Sequence, residues 1–182
     1  MLPIAPLMIE HRLIERLIAL MEKEGDRIKK DKLADIDFID DCIDFIKTYA
    51  DRCHHGKEED ILFRYLRNKK LTPEHTRILD ELINEHKYAR EITSKLADAR
   101  KKYYFSNGND ASNQIYTFEI YEYMKQLIEF YPLHIKKEDS KFFLPCMDYF
   151  TDKEKEKMLG EFWEFDRKLI HEKYKKVLEK YE

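Results

Sequence analysis

The chain has 182 residues, which is the size of one ordinary domain, and its 43% hydrophobic and 39% charged residues can both build a core and cover it. Its 34 basic and 37 acidic side chains leave a formal charge of -3, which argues against a nucleic-acid-binding protein and against an anionic membrane surface as partner. Three cysteines without a CxxC pair, and the lack of a long apolar run, predict a cytoplasmic protein that is neither disulfide-bonded nor membrane-spanning.

The composition predicts an all-α chain, because it holds only 4 glycines, 5 prolines and a single valine. Apolar periodicity places the first helix at about residues 6–30, the second at about 35–68 and the third at about 73–104. Thr72 is suited to cap the third helix, with Pro73 in its first turn.

The segment SNGNDAS at residues 106–112 is predicted to be a loop, and a fourth helix follows it. Pro132 lies within that helix and predicts a kink or a local break just before His134. A capping box of Thr151 and Glu154 is then expected to open a C-terminal helix at about residues 151–181. We therefore predict a single domain over 1–182, an antiparallel up-and-down four-helix bundle at about 6–145 whose extra helix closes it or forms a homodimer face.

Polar residues interrupt the apolar stripe of each of the first four helices. Every stripe holds a histidine, and in the second and fourth helices a glutamate follows four residues later on the same face. Burying these groups unpaired would be costly, whereas a shared metal site would satisfy them. Imidazole and carboxylate without thiolate suit Fe, Mn, Zn or Cu, and six side chains are too many for one tetrahedral zinc, so two irons are favoured. The predicted ligands are His11, His54, Glu58, His86, His134 and Glu138.

The sequence around these residues resembles the hemerythrin-like family, the histidine-histidine-glutamate (HHE) cation-binding domain, over about residues 7–145. The strings that carry the resemblance are IEHRLIERL, CHHGKEEDILF, NEHKYAR and HIKKEDSKFFLP. The resemblance implies a four-helix bundle around a non-haem di-iron centre, with the histidines as terminal ligands and Glu58 and Glu138 as bridging carboxylates. It also implies that the protein binds or senses oxygen, nitric oxide or peroxide.

The ligand set is closest to the bacterial branch that has four histidines and two glutamates. Oxygen-carrying members have a second histidine where this chain has Arg90, and they use the position of Asp139 rather than Glu138. We expect a metal- and ligand-binding protein rather than a dedicated enzyme, with Zn or Mn as possible substitutes, and we assign no catalytic residue. The alternatives are a di-iron oxidase or peroxidase, a nitric-oxide-related iron-centre repair enzyme, a metal-dependent regulatory module, and a bundle with zinc or no metal.

Several neighbours of the predicted ligands keep two interpretations. The stripe favours His54 over His55, and with it Glu58 over Glu59. Asp139 either replaces Glu138 or orients another ligand. Three further residues combine a structural and a functional interpretation. Arg90 neutralises a carboxylate, gates the site or reaches solvent. Tyr131 packs in the core or donates a hydrogen bond to a bound oxygen species. Gly56 locally weakens the helix or allows another helix to approach closely.

Overall fold

The computed structural model describes residues 2–106, 110–165 and 168–182, and throughout these ranges the chain forms helices and no strand. The main helices are α1 (Ile4–Asp31), α2 (Ile36–Phe45), α3 (Pro73–Phe105), α4 (Asp110–Lys137), α5 (Asp152–Phe165) and α6 (Lys168–Tyr181). The first four pack as an antiparallel bundle in which α3 lies along α4, α4 along α1, and α2 along α3. The all-α fold predicted from the sequence is confirmed.

Two of the helices continue beyond their α-helical part as wider π-helical turns. The helix that starts as α2 goes on through Ile46–His55 and Glu58–Phe63 to a last α-helical turn at Arg64–Leu66. The helix that starts as α4 goes on through Glu138–Phe142 to a short turn at Phe143–Cys146. π-Helical turns are rare and occur frequently at functional sites. Here they include His54, Glu58 and Glu138, whereas His134 lies in the α-helical part of its helix.

The helix ends carry the signals that the sequence predicts. Thr72 accepts a hydrogen bond from the backbone of His75 at the start of α3. Thr151 and Glu154 exchange the hydrogen bonds of a capping box at the start of α5. Two details differ from the prediction. Of the kink or local break predicted at Pro132, the break does not occur, because the helical run continues to Lys137. Helix α4 already begins at Asp110, and the part of the predicted loop at 107–109 lies outside the described residues.

Two apolar clusters form the core, and a polar layer separates them. Along α1 the chain passes from one cluster at Leu7, through His11, to the other at Ile14 and Leu17. The other three helices of the bundle cross the same three levels. Helices α5 and α6 cover opposite ends, because Met158 and Phe162 belong to one cluster and Tyr174 and Leu178 to the other. Both helices therefore close the bundle within one chain.

No helix in the described ranges combines the length and the apolar character that a membrane span requires.

Candidate metal centre

The polar layer contains all six residues predicted from the sequence and one more histidine, His55. None of the seven side chains is more than 2% exposed. Their ligand atoms form two groups, in each of which the atoms lie within 4.8 Å of one another. The first group is His55, His86 and His134, and the second is His11, His54, Glu58 and Glu138.

The two glutamates lie between the groups. Glu58 places one carboxylate oxygen 3.4 Å from Nε2 of His54 and the other 3.3 Å from Nε2 of His86. Glu138 places one oxygen 3.1 Å from Nε2 of His11 and 3.4 Å from Nε2 of His134. Each carboxylate therefore faces imidazoles of both groups, as a ligand shared by two cations would.

His55 is the residue of this layer that the sequence analysis placed elsewhere. In an α-helix, consecutive residues point about 100° apart, so the apolar stripe could include His54 or His55 but not both. The chain is π-helical here, and the wider turn brings both rings to the same side. The His55 ring stacks on His86, with the ring centres 3.9 Å apart and the planes at 12°. The signal in the sequence was the His-His pair itself, but nothing in the periodicity shows that the turn is widened.

Carboxylates hold the outer nitrogen of four of these histidines. Nδ1 of His11 lies 2.8 Å from Asp139, that of His54 2.8 Å from Glu10, that of His86 2.7 Å from Glu59, and that of His134 2.8 Å from Glu85. We call Glu10, Glu59, Glu85 and Asp139 the carboxylate ring. Such hydrogen bonds fix the ring orientation and keep the proton on Nδ1, which leaves the Nε2 lone pair directed inward.

The carboxylate ring closes around the bundle. Glu10 of the first helix holds His54 of the second, Glu59 of the second holds His86 of the third, Glu85 of the third holds His134 of the fourth, and Asp139 of the fourth holds His11 of the first. Each member is adjacent in sequence to an inner residue of its own helix, but it contacts a histidine of the neighbouring helix. The sequence offered Asp139 as a residue that replaces Glu138 or orients another ligand, and its contact with His11 corresponds to the second interpretation. Glu59 was considered only as an alternative to Glu58, and Glu10 and Glu85 were not predicted.

Each member of the carboxylate ring also contacts a cationic side chain. The pairs are Glu10 with Lys57, Glu59 with Arg90, Glu85 with Lys137, and Asp139 with Arg12. Burial alone would raise the pKa of Glu59, but the hydrogen bonds from His86 and Arg90 outweigh it and lower that pKa to about 2. Hydrogen bonds from the histidines and the cations likewise lower the pKa values of Glu10 and Glu85 against the effect of burial, so these three glutamates stay ionised and accept hydrogen bonds from the histidines.

Most inner atoms of this layer have no hydrogen-bond partner. Among the described residues, the Nε2 atoms of all five histidines and the four carboxylate oxygens of Glu58 and Glu138 are buried and make no hydrogen bond. Burial, followed by the neighbouring imidazoles, lowers the pKa of His55 well below its usual value, so this ring is neutral. Burial opposes a charge on His11 as well, but the hydrogen bond to Asp139 and the Glu138 charge raise its pKa to about 10, so without a cation at the centre this ring is protonated on both nitrogens. Metal binding at this position would displace the proton on Nε2.

A model of the hemerythrin HHE cation binding domain matches residues 2–144. The chain belongs to this family. Its helical bundle and its buried histidine and glutamate groups are those of a hemerythrin-like metal-binding protein. Comparisons with curated proteins and with solved structures gave no match.

The structure separates the residues for which the sequence left two interpretations. Glu138 lies in the interior and is fully buried, whereas Asp139 contacts the outer side of His11. Arg90 does not contact the two inner glutamates. It forms ion pairs with Asp51 and with Glu59, each at 2.7 Å, so it is not a side chain that only reaches solvent. Gly56 allows close helix approach, because a Cβ there would lie 2.8 Å from Cζ of Phe165 in α5.

Proposed function

We propose that the seven-residue layer holds two iron ions and that the protein uses them to bind a small diatomic ligand, oxygen or nitric oxide, or peroxide. The observation that carries the proposal is the set of nine buried donor atoms without hydrogen bonds, five imidazole nitrogens and four carboxylate oxygens. Buried polar groups are otherwise nearly always satisfied, and nine such atoms in one layer would be very costly. Cations at the centre satisfy all of them.

The arrangement favours two ions over one. The donor atoms fall into two groups, and both glutamates face histidines of each group. Two six-coordinate ions have about twelve positions, of which nine donors would fill most and leave about three for solvent and a ligand. A single tetrahedral zinc would use only four donors. Nitrogen and oxygen donors without thiolate suit iron, with manganese or zinc as substitutes.

When bound, ferrous ions would supply electrons to the ligand, and the protein's part is to hold them and to limit access. Neutral imidazoles donate through Nε2, the carboxylate ring keeps them oriented, and the apolar clusters on both sides exclude water. Where oxygen carriers have a second histidine, this chain has Arg90. One ligand fewer would leave more open positions on the irons, and that would favour an enzyme. His55 supplies a fifth imidazole, and this supports ligand binding over turnover.

The test is elemental analysis of iron, manganese and zinc per chain after anaerobic loading with ferrous ion and desalting. We expect about two irons in the wild type and a clear loss in His54→Ala, His55→Ala and Glu138→Ala, because each removes donors that face the centre. His75→Ala is the matched control, since His75 contacts Tyr149 outside the layer. Full iron content in Glu138→Ala, or an equal loss in His75→Ala, would refute the assignment.

A further inference from the structure

A small cavity reaches the layer from one side, at the group of three histidines. Its volume is about 140 Å³, and its lining includes His55, Tyr131, Ala89 and the ion pair of Arg90 with Asp51. A second, larger cavity of about 610 Å³ at the surface is lined by Gly56, Glu59 and the same ion pair. The Arg90–Asp51 pair is therefore a wall shared by the outer and the inner cavity, and the inner one also reaches the surface beside the exposed Lys47.

Tyr131 gives the inner cavity a hydrogen-bond donor. The side chain is 1% exposed, and its hydroxyl has no hydrogen-bond partner among the described residues. Thr93, the other hydroxyl of the lining, already donates to the carbonyl of Ala89 at 2.7 Å. Burial raises the pKa of Tyr131, so the hydroxyl keeps its proton. A buried hydroxyl without a partner in a cavity of this size is suited to an oxygen-bearing guest.

The charges at the shared wall favour a neutral guest. Arg90 pairs with Asp51 and with Glu59, so one cation there meets two carboxylates. The outer cavity is lined by four carboxylates, those of Asp51, Glu59, Asp60 and Glu164, against the two cations Arg52 and Arg90, so an anion that approached from there would meet a net negative wall. The inner lining adds Lys47 as a further cation, so the selection against anions is made at the outer wall. The inner space can hold only a few water-sized molecules.

We propose that the inner cavity holds a small neutral oxygen-bearing ligand such as dioxygen, nitric oxide or hydrogen peroxide, that Tyr131 donates a hydrogen bond to it, and that the Arg90–Asp51 pair restricts its passage from the outer cavity. This inference rests on the proposed function, since it gives that site its entrance. Tyr131 and Arg90 act here as a positioning residue and a gating residue. They are not metal ligands, and no bond is made or broken by them.

Nitric oxide is the probe for the loaded protein, studied anaerobically with proteins matched for iron content. Tyr131→Phe removes the donor and should raise the dissociation rate of nitric oxide about 5- to 10-fold with little change in the association rate. Arg90→Ala opens the wall and should raise both rates together, with the equilibrium constant nearly unchanged. Tyr123→Phe, a partly buried tyrosine of the same helix outside the cavity lining, is the control. Unchanged rates in both test variants at full iron content would overturn the inference and leave the proposed function standing.

A second measurement uses the metal-free chain. Crystals under xenon pressure should show xenon in the inner cavity of the wild type and none in Ala89→Leu, whose side chain fills it. Xenon absent from the wild-type cavity would overturn the inference. If the wild type binds xenon there but takes up no iron, the proposed function fails while the cavity is retained as a binding space, so the two failures are distinguishable.

Discussion

Replacing Glu10 with glutamine should separate the stabilising role of the carboxylate ring from its role in metal binding. The Glu10 side chain is 1% exposed and that of its partner Lys57 is fully buried, while Glu10 also holds Nδ1 of His54. Removing one charge of a buried ion pair costs about 3–5 kcal/mol. Because Lys57 has a further interaction, we expect the lower end of this range. Glu10→Gln should reduce the unfolding free energy of the metal-free chain by about 3 kcal/mol.

Glu85→Gln is the matched control, since Glu85 holds His134 in the same way. Its side chain and that of Lys137 are 27% and 25% exposed, so water already screens this pair. We expect a loss of only about 0–1 kcal/mol. In contrast, both variants should weaken iron binding by about 10- to 100-fold, because each loosens one imidazole.

Urea unfolding of the metal-free proteins gives the first quantity, and competition with a chelator gives the second. We expect Glu10→Gln and Glu85→Gln to differ in stability but to lose similar amounts of metal affinity. It is wrong if Glu10→Gln costs no more stability than Glu85→Gln, or if neither variant changes the metal affinity.

Gly56→Ala should destabilise the chain by about 1–2 kcal/mol in urea unfolding, because the added methyl displaces the Phe165 ring. In a chain that also carries Phe165→Leu, Gly56→Ala should cost less stability, and an unchanged loss would contradict this contact. The hydrogen bond from Lys69, with those of the capping box, lowers the pKa of Glu154 to about 2. Its contribution to stability is therefore full above pH 4.5 and lost as the pH falls through 2, so Tm measured by circular dichroism should differ between wild type and Glu154→Gln at pH 7 and converge towards pH 2. Leu178→Ala should cost about 2–5 kcal/mol without changing the mass seen by light scattering; a change in mass would show that α6 takes part in an interface between chains.

Six of the seven residues of the metal-site layer were accessible to sequence reasoning, although His54, Glu58 and Glu138 lie in π-helical turns. The i to i+4 spacing places Glu58 and Glu138 on the faces of His54 and His134, and all four side chains are buried in the structure. The same argument could not include His55, because it assumes about 100° per residue and so allows only one of two consecutive histidines to face inward, whereas the π-helical turn brings both inward.

The partners of the outer nitrogens were not accessible in the same way. Glu10 and Glu85 each precede a histidine in the chain, and helical geometry alone turns them away from it. Only the packing of neighbouring helices decides that they meet His54 and His134 instead. At Pro132 the local preference predicts a kink or a break, and the helical run shows that the chain does not break there.

The closed order of the carboxylate ring couples the alignment of all four helices. Each helix gives one carboxylate to the next and receives one from the previous, so a slip of any single helix along its axis breaks two links at once. No pair of helices can assemble a complete half of the site alone, because each of the two groups of ligands draws its residues from three helices. Metal uptake should therefore report on the whole bundle as one cooperative unit, and a partly assembled chain should bind metal hardly at all.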